Sequence, residues 1–291
     1  MLVGDNMSTL PPSIIETLKK FIEEDVRSGD ITTLATIPEE KRAIATIYAR
    51  ERAMLAGIEE VAAIAEFSDL SHEILAFEGN WVNPGEPVMR LKGSARTLLT
   101  IERVCLNIIQ RMSGIATKTY NMVSLARQVN PKVRVACTRK TTPGFRFFEK
   151  RAVAIGEGDP HRYALDDMVL IKNNHITAAG GVNAAVCAAK ELVSFSKKIS
   201  CEARSLQEVL EAINAGADIV LLDNFKPKDV GGVIEVLKSE KLFGKVILEV
   251  SGGINEKNIK EYAQHQIDVI SSGSLTHSYA SVDFNMRLTP N

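Results

Sequence analysis

The sequence predicts an α/β protein: an N-terminal α+β, sandwich-like domain followed by an open, incomplete (β/α) barrel. Three observations predict it. From Val133 onward, short β-branched apolar runs alternate with helical stretches, the order that right-handed crossovers turn into a parallel sheet or barrel. Most of these runs end in a polar residue or a glycine turn, and α/β folds put their chemistry at the carboxyl ends of strands. Before Val133, strands and helices mix without regular alternation, which suits an antiparallel sheet. The 291 residues allow one large or two ordinary domains. The expected division is 1–131, 132–280 and a tail, 281–291, returning to the first domain.

In the first domain, Pro11-Pro12 opens a helix whose apolar residues Ile14, Ile15, Leu18, Phe21 and Ile22 share one face. It ends near Val26, and Arg27 to Thr33 reads as a loop. Ala43 to Ala49 alternates as a strand, and Met54 to Phe67, rich in Ala, Glu and Ile, reads as a helix. Strand signals return at Glu73 to Phe77, Trp81-Val82 and Val88 to Leu91, with Asn83 to Glu86 as a turn. Ser94 caps a long helix with the apolar seam Leu98, Ile101, Cys105, Ile108 and Met112. Arg103 stands about 200° round from Ile101, so it points away from the surface that the helix buries. It is an ordinary solvated arginine or one presented to another subunit or domain. The helical stretch ends at Asn130-Pro131.

The second domain's strands are predicted at Val133–Cys137, Met168–Ile171, Ile199–Cys201, Ile219–Leu222, Val246–Val250 and Val269–Ser271. Val153–Ile155 is a weaker seventh candidate. Helices are predicted at Asn183–Phe195, Leu206–Asn214, Val230–Ser239 and Glu256–Gln264. Six strands are too few for a closed eightfold barrel.

Composition removes several function classes. A net charge of −1, no basic run and 5% aromatic residues leave no footprint for nucleic acid. No apolar run approaches the ~20 residues of a membrane span, and residues 1–10 lack the basic and apolar regions of a signal peptide. The four cysteines (Cys105, Cys137, Cys187, Cys201) are scattered, without metal-ligand or disulfide spacing. A cytosolic protein is expected.

The residues that follow the strands are Thr138-Arg139-Lys140, Lys172, Glu202, Asp223, Ser251-Gly252-Gly253 and Ser272-Gly273-Ser274. A barrel gathers such ends on one face. Arg139, Lys140, Lys172 and His161-Arg162 form a cationic half, and Glu202 with Asp223 an acidic half. Glycine turns offer backbone N–H groups with no side chain in the way, which suits phosphate. Two carboxylates beside a phosphate cradle imply Mg²⁺, held directly or through water. The inventory implies a doubly phosphorylated or diphosphate substrate and a second anionic substrate gripped by arginine forks. No nucleophile stands out: Cys137 and Cys201 sit within predicted strands, and no Ser-His-Asp set is legible. A Schiff base on Lys140 or Lys172 remains a rival reading.

Several of these stretches together resemble one family. Thr138-Arg-Lys-Thr-Thr-Pro-Gly144, Asp159-Pro-His-Arg162, Leu170-Ile-Lys-Asn-Asn-His175, Gly216-Ala-Asp-Ile-Val-Leu-Leu-Asp-Asn224, Val250-Ser-Gly-Gly-Ile254 and Ser272-Gly-Ser-Leu-Thr-His277 look like quinolinate phosphoribosyltransferase. Gly29-Asp-Ile-Thr-Thr33, Ile101-Glu-Arg-Val-Cys-Leu-Asn107 and Ser113-Gly-Ile-Ala-Thr117 match as well, so the resemblance runs along essentially the whole chain. It implies that quinolinate and phosphoribosyl pyrophosphate yield nicotinate mononucleotide, pyrophosphate and CO₂, a step of NAD biosynthesis. It implies that Arg139, Arg162, Lys172 and His161, with Thr138, surround quinolinate. Glu202 and Asp223 hold ribose and metal; Lys140, Ser251 to Gly253 and Ser272 to Ser274 hold phosphates. Catalysis falls to Lys140, Glu202 and Asp223, and Arg103 is contributed by a neighbouring subunit of a homodimer or a multiple of dimers. The sequence departs from the family at Cys137, Asn173, Asp159-Pro160 and Glu157. The runner-up activities are a related barrel phosphoribosyltransferase (for nicotinate, or the molybdenum-associated paralogue) and a Schiff-base lyase; a non-catalytic metabolite-binding barrel is a further alternative.

Overall fold

The structure is a computed structural model and describes residues 10–290. The signal-peptide reading concerns residues that, Leu10 apart, lie outside this range. Two compact units emerge, and they do not follow one cut in the chain. One gathers the chain up to Lys118, Phe147–Gly156 and the chain from Tyr279 on; the other gathers Thr119–Arg146 and Glu157–Ser278.

The first unit starts with α1 (Pro12–Val26) and α2 (Ile31–Thr36). The loop expected through Thr33 is therefore corrected: the Asp30 carboxylate accepts from the Thr33 N–H and caps α2. After β1 (Arg42–Ala49) and β2 (Ala53–Met54), α3 runs from Ile58 to Phe67. It starts later than the sequence suggested because Gly57, at φ 99°, forms its left-handed amino-terminal cap. There follow β3 (Ser71–Ile74), β4 (Trp81–Val82), β5 (Pro87–Ser94) and the long α4 (Ala95–Arg127). All five seam residues of α4 are buried, and Arg103 is exposed. Strand β12 (Phe284–Pro290) pairs antiparallel with β1, completing a sheet of order β12-β1-β5-β3, with β2 and β4 as a separate pair.

The weak strand candidate at Val153–Ile155 is overturned, since Arg146–Ile155 is the helix α5. Its apolar residues Phe148, Ala152 and Val153 recur at helical spacing and are fully buried, Phe148 against Phe21 with ring centroids 5.6 Å apart.

In the second unit six parallel strands form one sheet: β6 (Arg134–Ala136), β7 (Val169–Ile171), β8 (Ile199–Ala203), β9 (Ile219–Asp223), β10 (Ile247–Ser251) and β11 (Val269–Ser271), in the order β6-β11-β10-β9-β8-β7. Helices α6 (Asn173–Ala179), α7 (Val182–Leu192), α8 (Leu206–Ala215), α9 (Pro227–Ser239), α10 (Ile259–Ala263) and α11 (Ser274–His277) fall after β7. The barrel is open, because β6 and β7 do not pair. Asp159 lines the outer edge of β6, its N–H donating to the Val135 carbonyl at 2.8 Å and its carbonyl accepting from Cys137 at 3.0 Å. Three residues on, Arg162 Nη1 donates to the Met168 carbonyl beside β7 at 3.0 Å. One short segment thus reaches from one side of the gap to the other.

Candidate active site

Strand register brings the carboxyl ends together. Ser251 pairs with both Asp223 and Ser271, and Ser271 pairs with Ala136, so these residues form one row across four strands. Glu202 pairs with Leu221, two residues before Asp223, so both carboxylates lie on the same face of the sheet, one pleat apart. The acids do not follow their strands as the sequence reading had it. Glu202 lies within β8, and Asp223 and Ser251 are the last residues of theirs, because the pairing runs one or two residues further than the apolar runs.

The glycine turns are built for close approach. Gly252 has φ 109°, and a Cβ there would stand 2.3 Å from Asn224 Oδ1. Beside it, the Gly253 carbonyl accepts from the side chains of Asn255 and Asn258, each at 3.2 Å. The helix expected from Glu256 starts only at Ile259, the loop being held by those two asparagines. Gly273 is bare for a different reason: a Cβ would stand 2.8 Å from Lys140 Cδ and 3.0 Å from the His277 ring. The Lys140 carbonyl accepts from Thr276 Oγ1 at 2.8 Å, and the Thr138 hydroxyl accepts from the Lys140 N–H at 3.1 Å. Lys140 is therefore fixed at its backbone over the Ser272-Gly273-Ser274 turn, with its side chain exposed. Ser272 is buried, and its hydroxyl contacts the Ile254 carbonyl at 2.6 Å and the Ser274 hydroxyl at 2.8 Å. It shapes the turn from within.

Acidic and cationic halves meet at their seam. Glu202 Oε1 is 3.5 Å from Lys172 Nζ, and Oε2 accepts from the Asn173 N–H at 3.2 Å. Asp223 Oδ2 is 3.4 Å from Arg204 Nε. Neither Lys140 nor Lys172 is buried. The Cys137 and Cys201 side chains are fully buried, and burial pushes the Cys201 thiol up to about 11. Among the described residues no group of three or more His, Cys, Asp or Glu is arranged to hold a metal ion.

On the other side Arg139 and Arg162 are neighbours. Arg162 is 8% exposed, and its pKa is lowered first by burial and then by the positive charge of Arg139, with Glu202, Asp167 and Glu249 opposing. Arg139 Nε is buried with no hydrogen-bond partner among the described residues. His161 turns into the barrel, where Nε2 lies 3.3 Å from the buried Glu249 carboxylate. Arg103 is on α4 of the first unit, with no hydrogen bond or ion pair of its side chain among the described residues.

Arg204 and Glu249 are not singled out by the sequence, and Asn224 and His277 stand in its motifs without a role of their own. Three of them follow a singled-out residue within one turn of chain, the signal that could have found them. Glu249 had a plainer one: a carboxylate in the middle of a buried apolar strand. A cavity of about 570 Å³ lies at the opposite, amino-terminal mouth of the barrel, with Arg134, Met168, Lys198, Ile219 and Ile247 around its rim.

Two family models match the chain. The one described as the N-terminal domain of quinolinate phosphoribosyl transferase covers residues 30–113, and that described as its C-terminal domain covers residues 115–287. The chain is 46% identical over 276 residues to a probable nicotinate-nucleotide pyrophosphorylase [carboxylating] of Methanocaldococcus jannaschii, covering 94% of this chain and 96% of that one. It is 42% identical to the nicotinate-nucleotide pyrophosphorylase [carboxylating] of Homo sapiens, covering 96% and 93% respectively. The crystal structure of NadC from Streptococcus pyogenes superposes with a TM-score of 0.90 at 36% identity, over 98% of this chain and all of that one.

Proposed function

The chain belongs to the quinolinate phosphoribosyltransferase family, and from that premise we propose how its residues carry the family's reaction. The enzyme is a pentosyltransferase of NAD biosynthesis that joins quinolinate to phosphoribosyl pyrophosphate, giving nicotinate mononucleotide, pyrophosphate and CO₂. One observation supports the residue assignment above others: two adjacent guanidiniums, one of them almost buried, with a buried N–H unpaired. Like charges held together out of water are costly unless an anion completes them. A pyridine dicarboxylate supplies two negative charges and planar forks that suit arginine. Arg139, Arg162, Lys172 and Thr138 bind quinolinate; His161 belongs to the same group.

Lys140 and the turns at Ser251-Gly252-Gly253 and Ser272-Gly273-Ser274 hold the phosphates. Glu202 and Asp223 face the ribose. They suit Mg²⁺ as two oxygen donors that need the diphosphate and water to complete the shell, and the ion supplies charge stabilisation to the departing pyrophosphate. The pyridine nitrogen attacks C1′ as the bond to pyrophosphate breaks, and the two carboxylates stabilise the oxocarbenium-like charge between. The ribosylated ring is cationic. Its positive charge stabilises the electron pair left on the adjacent carbon as the carboxylate departs as CO₂, and a proton then adds to that pair, so no separate decarboxylation base is required. A Schiff-base lysine finds no support, since neither lysine is desolvated.

Arg103, exposed and pointing away from its seam, completes the quinolinate site of a second copy in a homodimer. None of the four cysteines is in a disulfide, which suits work in the cytosol, and among the described residues no helix is long and apolar enough to cross a membrane.

The test is substrate choice. With phosphoribosyl pyrophosphate and Mg²⁺, quinolinate labelled in the carboxylate next to nitrogen should release labelled CO₂, while nicotinate turns over poorly. Equal turnover of nicotinate, or unlabelled gas, would sink the assignment of the arginines.

A further inference from the structure

The residues that steady the arginine fork are not all at the catalytic mouth. Glu249 is the third residue of β10 and lies on the same face as Ile247 and Ser251, inside the barrel. It is 2% exposed. Both of its oxygens stand 3.3 Å from His161 Nε2; Oε2 takes the hydrogen bond, and Oε1 is buried with no hydrogen-bond partner among the described residues. A buried carboxylate in the centre of a parallel strand costs stability unless it is paired or hydrogen-bonded, and His161 is the partner here.

His161 is held from three directions. Its backbone adopts φ 52°, in the left-handed region that non-glycine residues seldom occupy. Its N–H donates to Asp159 Oδ1 at 2.7 Å, which holds that conformation. Ring Nδ1 accepts from the Arg162 N–H at 2.7 Å. An acceptor Nδ1 puts the proton of the neutral ring on Nε2, and Nε2–H then points at Glu249. Both ring nitrogens are thus committed to protein groups. One of them holds the backbone of Arg162, whose Nη1 is fixed in turn on the Met168 carbonyl.

We propose that Glu249 is a positioning residue of the reaction: through the His161 tautomer it fixes, it aims the Arg162 guanidinium at the substrate carboxylate. The chain of contacts runs Glu249 carboxylate, His161 ring, Arg162 backbone. It rests on the assignment of Arg162 to quinolinate given above. Glu249 and His161 line the cavity at the amino-terminal mouth, and so does Arg162.

The test uses the full-length enzyme with Glu249→Ala, Glu249→Gln, Arg162→Ala and the double variant Arg162→Ala/Glu249→Ala. Glu249→Ala should raise the quinolinate KM by about tenfold or more and leave the phosphoribosyl pyrophosphate KM within about twofold. Glu249→Gln, whose amide oxygen can still accept from Nε2, should do less. The double variant should be no worse than Arg162→Ala alone, as for residues acting in one chain. An unchanged quinolinate KM in Glu249→Ala, equal effects on both substrates, or a defect that multiplies with that of Arg162→Ala would each overturn the proposal. A normal quinolinate KM in Arg162→Ala would instead overturn the assignment of Arg162 itself. Should the alanine variant fail to fold, nitrogen-15 spectra of the wild-type protein at alkaline pH decide the matter. They should show His161 protonated on Nε2, and a proton on Nδ1 would refute the proposed chain.

Discussion

Each unit draws arginine largely out of water, and the two treat it in opposite ways. In the first unit Arg151 meets Glu59 Oε2 at 2.6 Å, Glu60 Oε2 at 3.1 Å and Glu78 Oε2 at 2.6 Å. Three carboxylates surround one guanidinium, and Glu78 Oε1 also accepts from the N–H groups of Gly57 and Ile58 at the start of α3. A few residues along the same helix α5, the Glu149 carboxylate is buried against Arg111. In the second unit Arg139 and Arg162 stand beside each other, and the N–H at Arg139 Nε is left over. A fully partnered cluster ties chain segments together. A pair with no carboxylate in direct contact among the described residues takes one from outside, and that difference separates scaffold from site.

The largest effect should come from breaking the partnered cluster. Arg151→Ala leaves Glu60 fully buried with no cation beside it, and removing one partner of a buried pair costs roughly 3–5 kcal/mol. Thermal unfolding should fall accordingly; a variant as stable as the parent would mean that the arginine in the first unit is dispensable, and the contrast would dissolve.

The unpartnered cluster should respond in activity instead. Arg139→Ala relieves like-charge crowding, so stability should hold or rise slightly, while kcat/KM for quinolinate falls by roughly a hundredfold, the scale of about 2–5 kcal/mol for a buried charge contact. Mixing it with Arg103→Ala, itself nearly inactive, should restore activity. Hybrid dimers hold one site with both defects and one with neither, so random pairing leaves up to about a quarter of all sites intact. If subunits exchange and nothing returns, Arg103 does not complete a neighbour's site.

The smallest effect concerns pH. Burial raises the Glu60 pKa to about 7, against the pull of Arg151 and with the help of Glu78. A carboxyl with a raised folded pKa lends its full stability below the unfolded value of 4.5 and loses it as pH climbs through about 7. Wild type should therefore lose about 1–3 kcal/mol across that window relative to Glu60→Gln. Parallel pH–stability curves for the two proteins would show that Glu60 is ionised throughout.

The barrel was legible because β-branched runs name strands and polar residues mark where they stop. Asp223 and Lys140 could be picked out for that reason alone, and Glu202 because it follows the apolar run although it lies within β8. What escaped depended on conformation. Asp30 reads as loop until its carboxylate is seen capping α2, and Val153–Ile155 reads as strand until Phe148 shows the helical spacing behind it. Ser272 reads as a phosphate ligand, while its hydroxyl is spent within the turn. His161 reads as a pocket residue, and only a positive φ turns its ring inward. No periodicity encodes that.

The segment Asp159–Arg162 has one more consequence. An open parallel sheet ends in strands whose outer N–H and C=O groups are a template for another chain, a standing invitation to self-association. Asp159 takes the Val135 carbonyl and the Cys137 N–H along that edge, so the stretch that presents an arginine to the substrate also covers part of a raw edge. Loosening it would therefore threaten solubility along with catalysis. A drifting sequence cannot trade away one without risking the other.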